Sequence, residues 1–113
     1  MDHVPRESVD STEAVDGAHL AQLAAGEEMS VQHFTIEPGA SVPEHSHRHE
    51  QAGYIADGTL TFLLADGEEV VCAAGDSYVL DGEEVHGAEN RGDVPVTGID
   101  VFSPPRTDPD WKD

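Results

Sequence analysis

Basic side chains are scarce in this sequence. Its 113 residues include 24 Asp and Glu but only five Lys and Arg, for a formal net charge of −19. Nucleic-acid binding and attachment to anionic membranes both depend on Lys and Arg near phosphates, so we expect neither partner. Such acidity favours a halophilic protein, because concentrated salt screens the repulsion between like charges. The alternative is an acidic protein that works at an ordinary salt concentration.

Cysteine and long apolar runs are nearly absent as well. Cys72 is the single cysteine, which excludes a disulfide within the chain. It lies in a short apolar run, where a thiol packs as a small hydrophobe. No apolar stretch has the length that spans a bilayer, and the first seven residues lack the charged-then-apolar pattern of a signal peptide. We therefore expect a cytoplasmic location.

The apolar residues are gathered into short runs that Gly, Asp and Pro separate. This pattern predicts strands at 19–24, 29–36, 51–56, 59–64, 69–72, 77–80, 85–88 and 96–102. Short strands at regular spacing predict an all-β sandwich or barrel. The length fits one domain, which we place at 16–106, after a mobile N-terminal segment, 1–15, and before a C-terminal tail, 107–113.

Histidines alternate along the segment from His45 to Gln51. In an extended strand His45, His47, His49 and Gln51 would share one face. Imidazole is the commonest metal ligand, and two rings one residue apart can bind one ion. His86, which follows a turn later in the chain, is the candidate third histidine. The pattern predicts a metal site, with a surface histidine cluster as the alternative.

The same segment resembles the first motif of the cupin family, Gly-x5-His-x-His-x3-Glu-x6-Gly. Gly39, His45, His47 and Gly58 occupy its anchors, and Gln51 stands where the family usually has Glu. This resemblance, together with the second motif, implies a double-stranded β-helix, or jelly-roll barrel, with the metal inside.

The second cupin motif, Gly-x5-Pro-x-Gly-x2-His-x3-Asn, is matched by Gly75, His86 and Asn90 at the same spacing. Asp81 and Glu83 replace its Pro and Gly. The two motifs together cover residues 39–90, and the strands predicted outside them fit the rest of such a domain.

The resemblance implies a ligand set of His45, His47, Gln51 and His86, and it leaves His49 out. These four side chains are neutral, so a bound divalent ion keeps the charge that a Glu would have offset. Such a site favours an anionic substrate and polarises a bound oxygen strongly. A set of three histidines and one glutamine accepts nickel, zinc, iron, manganese or copper, and the sequence does not select among these metals.

The C-terminal stretch Asp100-Val101-Phe102-Ser103-Pro104-Pro105-Arg106 is the second informative segment. Arg106 can bind a carboxylate at two points, although a surface salt bridge is the alternative. The stretch is similar to one in the small cupins of pectin and alginate breakdown, which open and ketonise unsaturated uronates. That resemblance implies that Asp100 shuttles a proton, Arg106 holds the substrate carboxylate and Phe102 packs against the sugar.

Three functions compete at this point. The first is a non-redox enzyme that opens or tautomerises an unsaturated uronate, with a divalent metal as Lewis acid. The second is a non-haem iron dioxygenase, which a three-histidine site would also serve. The third is a non-catalytic cupin that binds a small molecule. Asp100 and Arg106 favour the first, because a dioxygenase needs neither. The cupin resemblance also implies a homodimer formed through edge strands.

Overall fold

The computed structural model describes residues 1–107. A short 3-10 helix, Arg6–Ser8, precedes ten β-strands: β1 Thr12–Val15, β2 Ala18–Ala25, β3 Ser30–Ile36, β4 Ser41–His45, β5 Glu50–Asp57, β6 Thr59–Leu64, β7 Glu69–Ala73, β8 Ser77–Leu80, β9 His86–Glu89 and β10 Val96–Ser103. All eight predicted strands are present, and β1 and β4 are additional. Within the described residues, no helix is long and apolar enough to cross a membrane.

The strands form two antiparallel sheets that enclose one core. The order in the six-stranded sheet is β1-β2-β3-β10-β5-β8, and in the four-stranded sheet it is β4-β9-β6-β7. Several neighbours in these orders are distant in sequence, as when β10 pairs with both β3 and β5. The predicted all-β jelly-roll barrel is confirmed.

Alternation along the strands explains why they pack in this way. In β3 every second residue is buried, ending with Phe34 and Ile36, and β10 shows the same alternation. These inward residues meet the inward face of β6, where Leu60 and Phe62 are buried. Burial of such side chains contributes about 1.5–3 kcal/mol each, so the two inward faces stabilise the barrel.

Three motif glycines serve the turns between strands. Gly39, Gly58 and Gly75 have φ angles of 82°, 82° and 94°. These values lie in the left-handed region, which residues with a Cβ rarely adopt. The turns before β4, between β5 and β6 and between β7 and β8 therefore favour glycine at these positions.

The N-terminal boundary differs from the expectation. The segment expected to be mobile through residue 15 contains β1, which pairs with β2 and places Ala14 and Val15 on the wall of the internal cavity. Pairing and apolar burial therefore make Thr12–Val15 part of the barrel. Of the expected tail, 107–113, only Thr107 belongs to the described residues.

The inward residues of the large sheet change from polar to apolar along the strands. Gln32 and Asp100 are paired across β3 and β10, and Phe34 and Gly98 form a later pair on the same face. Ile36 and Val96, still further along, are buried in the core. One end of the barrel interior is thus polar, and the candidate site lies there.

Candidate metal and substrate site

Three histidines meet at the polar end of the barrel. β4 ends at His45 and β9 begins at His86, and the two residues are paired across these strands. Their ring centroids are 4.4 Å apart. His47 follows β4, and one nitrogen from each of the three rings lies within 4.8 Å of the others. Strand pairing therefore brings together candidate ligands from two distant segments.

Backbone carbonyls orient two of these rings. His45 Nδ1 lies 2.9 Å from the carbonyl oxygen of Pro43, and His86 Nδ1 lies 2.8 Å from that of Glu84. A carbonyl oxygen only accepts, so each Nδ1 carries the proton and donates it. The lone pair of each ring is therefore on Nε2, an arrangement that metal-binding histidines commonly use.

Burial keeps imidazoles of this cluster neutral. It is the main cause that lowers the pKa of His47 to about 4, and the nearby Arg106 and His86 lower that pKa further. Burial also lowers the pKa of His86, although its hydrogen bond to the Glu84 carbonyl opposes this shift. Both rings are uncharged near neutral pH, and the neutral ring is the form that binds a metal.

Gln51 connects the histidine cluster to Asp100. It is 7% exposed, and its Oε1 lies 3.1 Å from His47 Nε2. Its side chain also hydrogen-bonds Asp100 and lowers the pKa of that acid. A carboxylate only accepts, so the Gln51 amide N–H donates this second bond. The amide thus contacts both the candidate ligands and the candidate acid.

The side chains present fit a divalent transition metal. The Nδ1 atom of His47 is buried and has no hydrogen-bond partner among the described residues. Three imidazoles and an amide oxygen form a donor set that suits zinc, nickel, copper or iron. The structure places the four predicted ligands side by side, and the binding of a metal by them stays a prediction.

His49 lies beside this cluster and not in it. The sequence argument assumed one continuous strand from His45 to Gln51, but residues 46–49 lie between β4 and β5, with bends at Arg48 and His49. His49 is not among the three histidines whose ring nitrogens come within 4.8 Å of one another. The ring of His49 lies 5.2 Å from that of His47 and 6.0 Å from that of Phe102.

Asp100 is the buried carboxyl of the site. It is 6% exposed, and burial raises its pKa to about 6, although hydrogen bonds from Tyr78 and Gln51 and the charge of Arg106 oppose the rise. Tyr78 donates its hydroxyl to Asp100 Oδ1 over 2.5 Å. An acid with a pKa near neutrality can both accept and release a proton under ordinary conditions.

The bond from Tyr78 to Asp100 crosses a third strand. β5 lies between β8 and β10, and Gly53 is the β5 residue paired with both Tyr78 and Asp100. A Cβ at position 53 would lie 2.5 Å from Asp100 Oδ1 and still closer to the hydroxyl end of Tyr78. Glycine at this position leaves the space through which the tyrosine reaches the acid.

Arg106 is tied to the same sheet by its backbone. Its N–H donates to Ser30 Oγ over 2.8 Å, and its carbonyl accepts a hydrogen bond from the Gln22 amide. Its guanidinium carbon lies 5.3 Å from the centre of the Phe102 ring. These contacts hold a cation at the cavity wall, beside the buried Phe102.

One cavity of about 490 Å³ connects these groups. Its polar wall includes His45, Gln51, His86, Asp100 and Arg106. The apolar part of its lining includes Leu20, Phe34, Ile36, Val42, Leu60 and Phe62. The cavity has room for a small organic acid whose polar groups all face one end.

Sequence reasoning missed Tyr78, Gly53 and Gln32, which all border this polar end. Each lies on a correctly predicted strand, but nothing in the local pattern marks it as part of a site. Their roles depend on which strands are neighbours, and strand order is not visible in the sequence.

A second group that could bind a cation lies on the outer surface. Glu13, His19 and Glu37 bring ligand atoms within 4.8 Å of one another. His19 Nε2 lies 2.7 Å from Glu37 Oε2, and Glu13 accepts a hydrogen bond from the backbone N–H of Gly17. These contacts account for the group as a partly exposed ion pair and a turn, and His19 is a partly exposed residue of β2.

Comparison with known proteins identifies relatives of about three fifths of this chain. Pectin degradation protein KdgF of Dickeya dadantii (strain 3937) is 35% identical over 71 residues, which cover 62% of this chain and 63% of that protein. H2HPP isomerase of Bacillus subtilis is 35% identical over 68 residues, which cover 60% of this chain and 28% of that protein. Each of these matches therefore spans less than two thirds of the relative's length.

Solved structures share the fold over nearly the full chain. The structure of KdgF from Halomonas sp. superposes with a TM-score of 0.84 at 25% identity, covering 95% of this chain and 96% of that one. An RmlC-like cupin from Shewanella frigidimarina superposes with a TM-score of 0.82 at 28% identity, covering 95% of each chain.

The family model described as Cupin domain (Cupin_2) matches residues 32–102. This match covers more than half of the chain and includes all the candidate ligands together with Asp100 and Phe102. The chain therefore belongs to the Cupin_2 family.

Proposed function

We propose that this cupin is a metal-dependent, non-redox enzyme that opens or tautomerises an unsaturated uronate. The observation that carries the proposal is the position of Asp100, a buried carboxyl with a pKa of about 6, in one cavity with His45, His86, Gln51 and Arg106. The similarity of this chain to a pectin degradation protein supports a sugar acid as the substrate class.

Each group of side chains in the site has a separate role in this proposal. A divalent metal held by His45, His47, Gln51 and His86 would supply Lewis-acid polarisation. Arg106 binds the carboxylate of the substrate, since its planar guanidinium matches a carboxylate at two points. Phe102 packs against the sugar ring and excludes water from the polar end.

Asp100 performs the proton transfer in this proposal. Its Oδ1 accepts the Tyr78 hydroxyl, which holds the carboxyl in one orientation toward the cavity. Ring opening moves a proton from the anomeric hydroxyl to the departing ring oxygen, and tautomerisation moves a proton from an enol oxygen to a carbon of the substrate. A positioned carboxyl contributes about 10²–10⁴-fold to the rate of such a transfer.

The experiment that tests the proposal measures loss of the conjugated double bond of an unsaturated uronate. We expect turnover by the metal-loaded protein, and His47→Ala should lose both bound metal, measured by elemental analysis, and turnover. His49→Ala is the matched control, because that ring lies outside the cluster, and it should keep its metal. Absence of turnover by metal-loaded wild type contradicts the proposal, and oxygen consumption with added Fe(II) would favour the dioxygenase instead.

We further propose that the protein is a homodimer that associates through the outer face of the large sheet. Two copies at −19 each repel strongly over most of their surfaces. The outward positions in the middle of β3, β10, β5 and β8 carry no Asp or Glu: Val31, His33, Thr35, Thr97, Ile99, Val101, Ala52, Tyr54, Ala56, Ser77 and Val79. This face includes the edge strand β8, so the proposed interface still involves an edge strand, as the cupin resemblance implies.

A matched pair of substitutions tests the dimer. Val79 on β8 and Val71 on β7 are 61% and 63% exposed, but they lie on different sheets. We expect Val79→Glu to shift the molar mass, measured by light scattering, from dimer to monomer, because it places like charges opposite each other. Val71→Glu should leave the dimer intact. A monomeric wild type, or equal effects of the two substitutions, contradicts the proposal.

A further inference from the structure

Gln32 is a buried amide in the cavity wall. It lies in the middle of β3 and is 5% exposed. Its Oε1 is buried and has no hydrogen-bond partner among the described residues. Buried carbonyl groups are nearly always hydrogen-bonded, because an unpaired one has lost its water without gaining a partner. Gln32 Oε1 therefore calls for a hydrogen-bond donor that the described residues do not supply.

Its neighbours point to that role. Across the sheet, Gln32 is paired with Gln22 on one side and Asp100 on the other. The Gln22 amide donates to the backbone carbonyl of Arg106. Gln32 thus lies between Asp100, the candidate acid, and Gln22, which hydrogen-bonds the backbone of Arg106, the candidate carboxylate-binding residue.

Gln32 also marks the boundary between the two ends of the cavity. The next inward pair along β2 and β3 is Leu20 and Phe34, and both side chains line the apolar wall. A ligand that extends from Arg106 past Asp100 meets Gln32 as the last amide before apolar surface. A hydroxyl at that level of the ligand needs a polar partner, since burying it unpaired is unfavourable.

We propose that Gln32 is a substrate-binding residue that hydrogen-bonds a hydroxyl group of the substrate beside the atom that Asp100 protonates or deprotonates. The torsion at the end of a glutamine side chain is soft, so the amide can turn toward a bound ligand. The proposal rests on the proposed function and deepens it. It assigns to this site a hydroxylated acid, and it disfavours an acid whose remaining surface is apolar.

The test replaces Gln32 by Met, which keeps the length of the side chain and removes both ends of the amide. We expect the Tm of Gln32→Met without substrate to equal or exceed that of wild type, because the unpaired buried oxygen is gone. We expect KM for the unsaturated uronate to rise about three- to tenfold while kcat changes little, as when one hydrogen bond common to substrate and transition state is lost.

Gln22→Met is the matched control. Gln22 is the same residue type at the paired position on β2, but its amide donates to Arg106, so its removal should lower the Tm. Gln32→Leu is the second variant, should Met pack poorly. The proposal is overturned if both Gln32 variants lower the Tm or fail to fold, since the free protein would then need the amide, for example to bind an ordered water.

The result also separates the two proposals. Turnover by wild type with an unchanged KM in Gln32→Met overturns the role of Gln32 and leaves the proposed function standing. Absence of turnover by metal-loaded wild type overturns the proposed function and, with it, the assignment of a uronate hydroxyl to Gln32.

Discussion

Asp100→Asn should lower kcat/KM for the uronate by about 10²–10⁴-fold, which is the range that a positioned acid or base contributes. In the metal-free protein the same substitution should raise the free energy of unfolding at pH 8 by about 1–3 kcal/mol. The reason is that burial raises the pKa of Asp100 from 3.8 to about 6, so the fold disfavours the charged carboxylate. Kinetic assays and urea unfolding of the two proteins measure these effects.

The pKa of Asp100 determines the pH range in which Asp100→Asn should stabilise the protein. Between pH 4 and 6 the folded state holds a proton on Asp100 that the unfolded state has released. The contribution of Asp100 to the free energy of unfolding therefore falls as pH rises through this window and stays low above it. Below about pH 4 the carboxyl is neutral in both states, so the gain from Asn should vanish there.

Asp57→Asn is the control for Asp100. Asp57 also accepts a hydrogen bond from a hydroxyl, that of Thr97, over 3.0 Å, but it is exposed. We expect this variant to keep wild-type activity and nearly wild-type stability at every pH. Full activity in Asp100→Asn would remove Asp100 from the proposed mechanism.

The second large effect is expected for Gly53→Ala. The added methyl group would lie 2.5 Å from Asp100 Oδ1 and closer to Tyr78, so the hydrogen bond between these residues has to break or lengthen. Overpacking together with the loss of a buried hydrogen bond should lower the free energy of unfolding by about 2–4 kcal/mol. Activity should fall as well, since Tyr78 would no longer orient the carboxyl. Urea unfolding and the uronate assay measure the two effects.

Gly26→Ala provides the comparison for Gly53. Gly26 lies in the turn between β2 and β3, and the nearest heavy atom to a Cβ at this position is 3.9 Å away. Its φ lies outside the positive region that favours glycine, so alanine should be neutral or slightly stabilising. If Gly53→Ala were as stable as Gly26→Ala, the glycine would not be needed for the contact between Tyr78 and Asp100.

Most of the barrel could be predicted from the sequence because its strands alternate between buried and exposed residues. β3 and β10 show this alternation along their full lengths, and both were predicted. β4 was missed because it has no fully buried residue and carries Pro43. β1 was missed for a similar reason, since it has only two partly buried residues. Both are edge strands of their sheets, and they have too few buried apolar residues to show the pattern that predicts a strand.

The candidate site divides in the same way. His45, His47, Gln51 and His86 were found because the two motifs keep their spacing. His49, which the motif leaves out of the ligand set, lies next to His47 in the bend between β4 and β5 and outside the group of three histidines. Tyr78 and Gln32 could not be found, because their positions in the site follow from the order of the strands and not from their neighbours in sequence.

The amide of Gln51 has a consequence for how this site can vary. Because one amide contacts both His47 and Asp100, position 51 would affect both the proposed metal affinity and the pKa of Asp100. The Glu that the first motif usually carries would place a second carboxylate beside Asp100, and the two would compete for one proton. In this chain, reverting to the usual ligand would therefore change two properties at once, so neither can be adjusted at this position without the other.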